Sequence, residues 1–306
     1  MKKEWPDELM FLKNRNAPQK SFTASMTGKV CVITGATSGV GLEAARSLAS
    51  HGAHLVLISR NARKAEIVAR EIKTKWNGSV DLIFADFRDL GQVRQAAGTV
   101  ISRYPHIDVL INCAGLHSTT RMETRDGLET VFCVNHLASF MLTYLLLERL
   151  KESAPARIIQ VNSEGHRFNG LDPDDLNWRK RHYTGLRSYG ASKTAQLLTV
   201  LEYDDLLRGT NVTINAMHPG DVKTNIGNNN GWLYRFFTHY VVGLFLKNPA
   251  ISGTAIGYLA SAPDLGNVSG RFFHLTNEEK PAAHALDRGM GRRIWAISMK
   301  MTGLAQ

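Results

Sequence analysis

Lys29-Val-Cys-Val-Ile-Thr-Gly-Ala-Thr-Ser-Gly-Val-Gly41 begins as a short apolar, β-branched run, the pattern of a buried parallel strand, and breaks at once into glycines. Leu42-Glu-Ala-Ala-Arg-Ser-Leu-Ala-Ser50 follows with helical spacing and strong helix formers. His51-Gly-Ala53 closes that helix, with Gly52 as its left-handed cap, and His54-Leu-Val-Leu-Ile58 reads as a second buried strand. Strand, helix and strand therefore form one unit with glycines at the first corner. Glycine lets the backbone turn tightly there. It also lets a pyrophosphate approach the helix N-terminus, where free N–H groups and the dipole favour anions. Gly35, Thr37, Ser38, Gly39, Val40 and Gly41 are the candidate cradle, and a glycine turn that binds nothing is the plain alternative.

Working outward, strand and helix patterns alternate without a linker-like break from about Lys29 onward, and 43% hydrophobic residues in 306 supply a large core. The expectation is a single doubly wound α/β domain over 28–306, with a mostly parallel central sheet and helices on both faces. Residues 1–27 read as a surface extension with one short helix after Pro6.

Farther along, Tyr189-Gly-Ala-Ser-Lys193 sets a phenol and an ammonium four residues apart, on one face of a helix. A tyrosine titrates near ~10, a neighbouring positive charge lowers that value, and acid–base catalysis wants a group near the working pH. Taken alone, the same spacing also describes a solvated surface pair.

The glycine spacing T-G-x-x-x-G-x-G together with Y-x-x-x-K resembles the short-chain dehydrogenase/reductase family, a Rossmann fold. Other positions match in the family's order: Asp86 after the strand 80–85, Asn112-Cys-Ala-Gly115, Asn135, Ser163 after the strand 157–161, and Pro219-Gly220-Asp-Val222-Lys-Thr224. Val134-Asn-His-Leu-Ala-Ser-Phe-Met-Leu-Thr143, Val161-Asn-Ser-Glu-Gly-His166 and His218-Pro-Gly220 resemble the retinol dehydrogenase and WW-domain oxidoreductase branch. So does the gap of 26 positions from Ser163 to Tyr189. The extra stretch from Arg167 to Ser188, rich in Arg, Asp, Asn and Gly, reads as an exposed insertion beside the active site.

The resemblance implies the remaining roles. Tyr189 exchanges a proton with the substrate oxygen. Lys193 holds the nicotinamide ribose and lowers the Tyr189 pKa, and Ser163 donates to the carbonyl or alkoxide. Asn135 corresponds to the family residue that holds a water in the relay behind Lys193. Asp86 accepts the adenine amino group beside Phe87. Asn112, Ala114 and Gly115 admit the cofactor ribose, while Pro219, Gly220, Val222 and Thr224 meet the nicotinamide. Dimerisation in the family often uses the helices carrying Asn135 and Tyr189, so a homodimer is one expectation.

At the end of the second strand stand Ser59 and Arg60, where NAD-preferring members carry an Asp. A serine does not repel a 2′-phosphate, and Arg60 can meet it with a planar fork of donors, helped by Arg63 or Lys64. NADP(H) is the expected cofactor.

Three scattered cysteines, Cys31, Cys113 and Cys133, provide neither a disulfide framework nor a metal site and suit a reducing cytoplasm. The histidines lack metal-ligand spacing, so no metal is expected, and His166 and His218 read as structural hydrogen-bonders. No signal peptide is evident, since no sufficient apolar run follows the first lysines. Net charge is +10, but the basic residues are dispersed and no nucleic-acid motif accompanies them, so nucleic acid is not an expected partner. A substrate-covering segment is expected at about 225–250. Its run 231–246, rich in aromatic and aliphatic residues, reads as a lid over an apolar substrate, as an ordinary packed helix, or as a peripheral membrane contact. The expected activity is NADP-dependent hydride transfer to or from an apolar carbonyl or alcohol. The alternative is a non-catalytic dinucleotide-binding regulator of the same fold.

Overall fold

A computed structural model of the chain describes residue 14 and residues 16–220 and 248–305. Val222, Thr224, the covering segment up to residue 247 and the helix after Pro6 lie outside the described residues.

The glycine unit folds as read. Strand β1 (Val30–Thr34) leads into α1 (Gly39–Ser50), and β2 (His54–Ser59) returns parallel beside it, with Val30 opposite His54. Helix α2 (Ala62–Trp76) is capped by the Asn61 side chain, which accepts from Lys64 N–H at 2.9 Å, and ends at the left-handed Asn77. Then come β3 (Val80–Phe84), α3 (Leu90–Arg103), β4 (Val109–Asn112), α4 (Thr130–Glu152), β5 (Ala156–Val161), α5 (Gly185–Leu207) and β6 (Val212–His218). Helix α6 (Ala250–Ser261), β7 (Phe272–His274), β8 (Asn277–Glu278) and α7 (Arg288–Met301) complete the order.

The sheet order is β3-β2-β1-β4-β5-β6-β7-β8, parallel except for β8. Strand alternation splits the core in two. Val32, Val56 and Ile58 face α3, α4 and α5, while Cys31, Ile33, Leu55 and Leu57 face α1, α2 and α6. Strand order reverses between β1 and β4, which opens a crevice at their carboxyl ends.

Two features differ from the sequence reading. Phe22 and Met26, 8% and 3% exposed, reach into the core under α6, with Phe22 stacked on His51 at 3.8 Å, so this part of the N-terminal stretch is packed. The insertion is not a loose loop either. Leu176 and Trp178 are buried, Arg181 lies 3.9 Å from the Trp178 ring, and the Asp175 carboxylate accepts from the backbone N–H groups of Arg179, Lys180 and Arg181. Polar composition suggested solvent, but these polar groups bond to one another and to the insertion's own backbone. Among the described residues, α4 is the one helix long and apolar enough to cross a membrane. In its most apolar window it is 89% buried, and it forms part of the core.

Candidate active site

The crevice floor is set by Thr34, whose Oγ1 accepts from Cys113 N–H at 2.9 Å and Ala114 N–H at 3.0 Å, tying the ends of β1 and β4 together. Gly35 sits at φ +71°, and a Cβ there would lie 2.8 Å from the Ala114 backbone, so only glycine fits. Ser38 is the N-cap of α1, yet its side chain makes no capping bond, and the first turn carries no acidic residue. The N–H groups of that turn face the crevice with a dipole that favours an anion.

Arg60 is exposed at the end of β2, beside Ser59, which is 5% exposed and whose Oγ has no partner among the described residues. Asp86 is bound by Arg88, whose Nε reaches both carboxylate oxygens at 3.1 and 3.0 Å. Burial works against the Asp86 charge, but Arg88 outweighs it and holds the carboxyl below the usual range. The Phe87 ring is 6% exposed and belongs to the core cluster that includes Leu90 and Val93 of α3 and Cys133 of α4. Asn112 donates to Thr143 Oγ1 at 2.8 Å, and its buried Oδ1 has no partner among the described residues.

Ser163, Tyr189 and Lys193 converge on this crevice from β5 and α5. Gly165 leaves room for the Tyr189 ring beside Ser163: a Cβ there would be 2.6 Å from Tyr189 Cε1 and 3.3 Å from Ser163 Oγ. Ser163 Oγ accepts from Gly165 N–H at 3.0 Å, which leaves its own proton to give. His166 fixes this turn. Its Nε2 accepts from Ala282 N–H at 3.1 Å, so its Nδ1–H donates to Ser163 O at 2.8 Å. Lys193 Nζ lies 5.7 Å from the Tyr189 ring centroid. The charge balance differs from expectation. Burial pushes the Tyr189 phenol up to about 12, against a hydrogen bond with Ser163, and burial also brings Lys193 down to about 8. Removal from water outweighs the attraction expected between the two groups.

Over residues 29–231 the chain matches the short chain dehydrogenase family. The protein is a short-chain dehydrogenase/reductase. Human retinol dehydrogenase 13 is 37% identical to this short-chain dehydrogenase over 286 residues, which cover 92% of this chain and 86% of that protein. A Streptomyces sp. (strain C5) protein provisionally named daunorubicin C-13 ketoreductase DnrU is 34% identical over 278 residues, 91% of this chain and 94% of its own. The crystal structure of an uncharacterized protein from Mycobacterium paratuberculosis shares 30% identity and superposes with a TM-score of 0.74, covering 94% of this chain and 98% of the other. This dehydrogenase is therefore retinol dehydrogenase-like, as its short motifs suggested.

A nicotinamide dinucleotide fits the residues present. Cap-free α1 suits a pyrophosphate, and the lone buried acceptors and donors at Ser59 and Asn112 are groups a bound nucleotide could satisfy. Pro219 and Gly220 end β6, with Gly220 N–H donating to His218 Nδ1 at 3.1 Å. The structural roles read for His166 and His218 hold, and no cluster of metal-ligating side chains exists among the described residues.

Asn135 lies in a π turn, Cys133–Leu137, inside α4. Its Oδ1 accepts from Leu116 N–H at 2.8 Å, and its Nδ2 donates to Leu116 O and to Ser192 Oγ, each at 3.0 Å. Its side chain thus ties α4 to the loop after β4 and to α5. Asn162 and Gly165 fell inside the quoted motif 161–166 without an assigned role, and Gln196, three residues after Lys193 on α5, was not singled out at all.

Proposed function

We propose that the chain catalyses NADP-dependent reduction or oxidation of an apolar carbonyl or alcohol. The observation that carries this reading is that Ser163 and Tyr189 meet over Gly165, with Lys193 Nζ 5.7 Å from the Tyr189 ring centroid, beside the crevice at the ends of β1 and β4. Gly35, Thr37, Ser38, Gly39, Val40 and Gly41 would hold the pyrophosphate. Ser59 and Arg60 would take the 2′-phosphate, Asp86 and the backbone at Phe87 the adenine side, Asn112, Ala114 and Gly115 the ribose, and Pro219, Gly220, Val222 and Thr224 the nicotinamide. When bound, the cofactor supplies or accepts the hydride.

The chain's own groups do the rest. Tyr189, kept protonated at neutral pH, gives its proton to the oxygen of a carbonyl undergoing reduction. Ser163 Oγ–H donates to the same oxygen and steadies its developing charge. Lys193, charged below about 8, would hold the nicotinamide ribose with the N–H that Val161 O and Gln196 Oε1 leave free. Support for an apolar substrate comes from exposed Phe168 and Leu186, on the turns that carry Ser163 and Tyr189, and from relatives named for retinol and for a C-13 ketone. Three free cysteines fit a reducing, cytoplasmic setting.

The test is NADPH consumption over aldehydes and ketones graded by chain length and ring number, with cofactor binding followed by quenching of tryptophan fluorescence. Tyr189→Phe should lower turnover by about 10²–10⁴-fold while binding NADPH normally. A wild-type chain that binds NADPH but reduces none of these carbonyls would instead establish the regulator reading.

A further inference from the structure

We infer that Gln196 is the positioning residue for Lys193: its side-chain amide ties the lysine ammonium to the main-chain carbonyl of Asn135. This rests on the proposed role of Lys193 and extends it. Gln196 is 2% exposed and stands three residues after Lys193 on α5. Its Oε1 accepts from Lys193 Nζ and from Asn162 Nδ2, both at 3.0 Å. Its Nε2 donates to Asn135 O and reaches Ser139 Oγ at 3.4 Å. Turned over, the amide would set its NH₂ against two other donors, so the partners fix its orientation.

The surroundings explain why the tie is needed. A buried ammonium requires an acceptor for each N–H. Val161 O takes one at 3.0 Å and Gln196 Oε1 takes another, which leaves one for a ligand. The titratable groups facing Lys193 are Cys113 after β4, Tyr189 on α5 and His136 in the π turn. Burial keeps all three neutral at pH 7, the two acids at about 12 and the imidazole at about 3. The lysine charge is therefore held by carbonyl dipoles, and one of the two is a replaceable side chain. That side chain is itself held by Asn162, whose Nδ2 also donates to Lys193 O at 2.9 Å, and by the π turn that presents Asn135 O.

The experiment follows the Lys193 titration by NMR in the full chain carrying ¹³Cε-lysine, assigned with Lys193→Arg, alongside the pH profile of kcat/KM. In Gln196→Leu the charged form loses an acceptor, so the Lys193 midpoint and the high-pH limb of the profile should both fall by about one pH unit. In Gln196→Glu a carboxylate faces the ammonium, and both should rise. Melting temperatures report folding separately, and a merely structural role would move them without moving the midpoint. If Gln196→Leu does not fold, the rise in Gln196→Glu decides. An unmoved Lys193 midpoint in folded Gln196→Glu overturns the inference. Because the NMR midpoint needs no turnover, a chain inactive on every carbonyl would sink the proposed function and still leave this coupling measurable.

Discussion

Gly165 concentrates the residue-scale argument, because one added methyl would strike the Tyr189 ring at 2.6 Å. In Gly165→Ala the ring must shift, and a misplacement near 1 Å costs on the order of 10²-fold in rate. We predict that loss in kcat, with KM for NADPH nearly unchanged, measured by steady-state kinetics. Arg60 is the second case. It is exposed at the end of β2, within electrostatic reach of Asp86, whose carboxylate is already paired with Arg88, so Arg60→Ala should lower kcat/KM for NADPH by about tenfold and leave NADH unaffected. Equal effects on both cofactors would remove Arg60 from phosphate recognition. Tyr189, Lys193 and the glycine corner were legible in the sequence because they sit in short local spacings, and Ser163 was reached only through the family resemblance. Gly165, Asn162 and Gln196 were not legible, because each acquires its role only when β5, α4 and α5 meet. The charge balance was also out of reach, since the burial that raises Tyr189 and lowers Lys193 is a property of the packed molecule.

At the scale of elements, three buried histidines link α4, the turn after β5 and the end of β6 to pH. Burial pushes His136 and His218 down to about 3 and His166 down to about 4, each from an ordinary 6.5. These three histidines therefore bind fewer protons in the folded state than in the unfolded chain between about pH 6.5 and 4, and their contribution to stability falls as pH falls through that window, opposed in part by Glu164, which burial raises to about 7. Each histidine contributes at most about 1.4 kcal/mol per pH unit. Urea unfolding at pH 7.5 and 5.0 should show a clear drop in midpoint, and His166→Asn should reduce its slope. The insertion gives the other element-scale prediction. Asp175 satisfies three backbone donors at once, so Asp175→Ala should cost about 1–3 kcal/mol in thermal or urea unfolding. Since the last residues of the insertion, Gly185 to Ser188, form the start of α5, activity should fall as well. Strand alternation made the sheet and both helix layers readable in advance. The insertion was misread because its polar residues, which usually mark solvent, here bond to one another.

Over the whole molecule, α7 decides what the sheet's outer helices can meet. The family resemblance led us to expect pairing through α4 and α5, but α7 lies on those helices in the same chain. Trp295 packs edge-on against Phe140 at 4.9 Å and Tyr203 at 4.7 Å, Ile294 is fully buried, and Ser298 Oγ meets His136 Nε2 at 2.8 Å. A second copy could reach that face only by displacing α7, which would uncover Phe140, Tyr144, Tyr203 and a buried imidazole together. Breaking such a contact is costly: Ile294→Ala alone should destabilise by about 2–4 kcal/mol. We therefore predict that pairing through α4 and α5 does not occur, and that sedimentation velocity finds the 33.9 kDa monomer at micromolar concentration. Truncation before Arg288 should expose the apolar face and drive association or precipitation. A full-length dimer whose α4 and α5 amides gain hydrogen-exchange protection on dilution-reversible pairing would contradict this, because the same surface cannot serve both α7 and a partner.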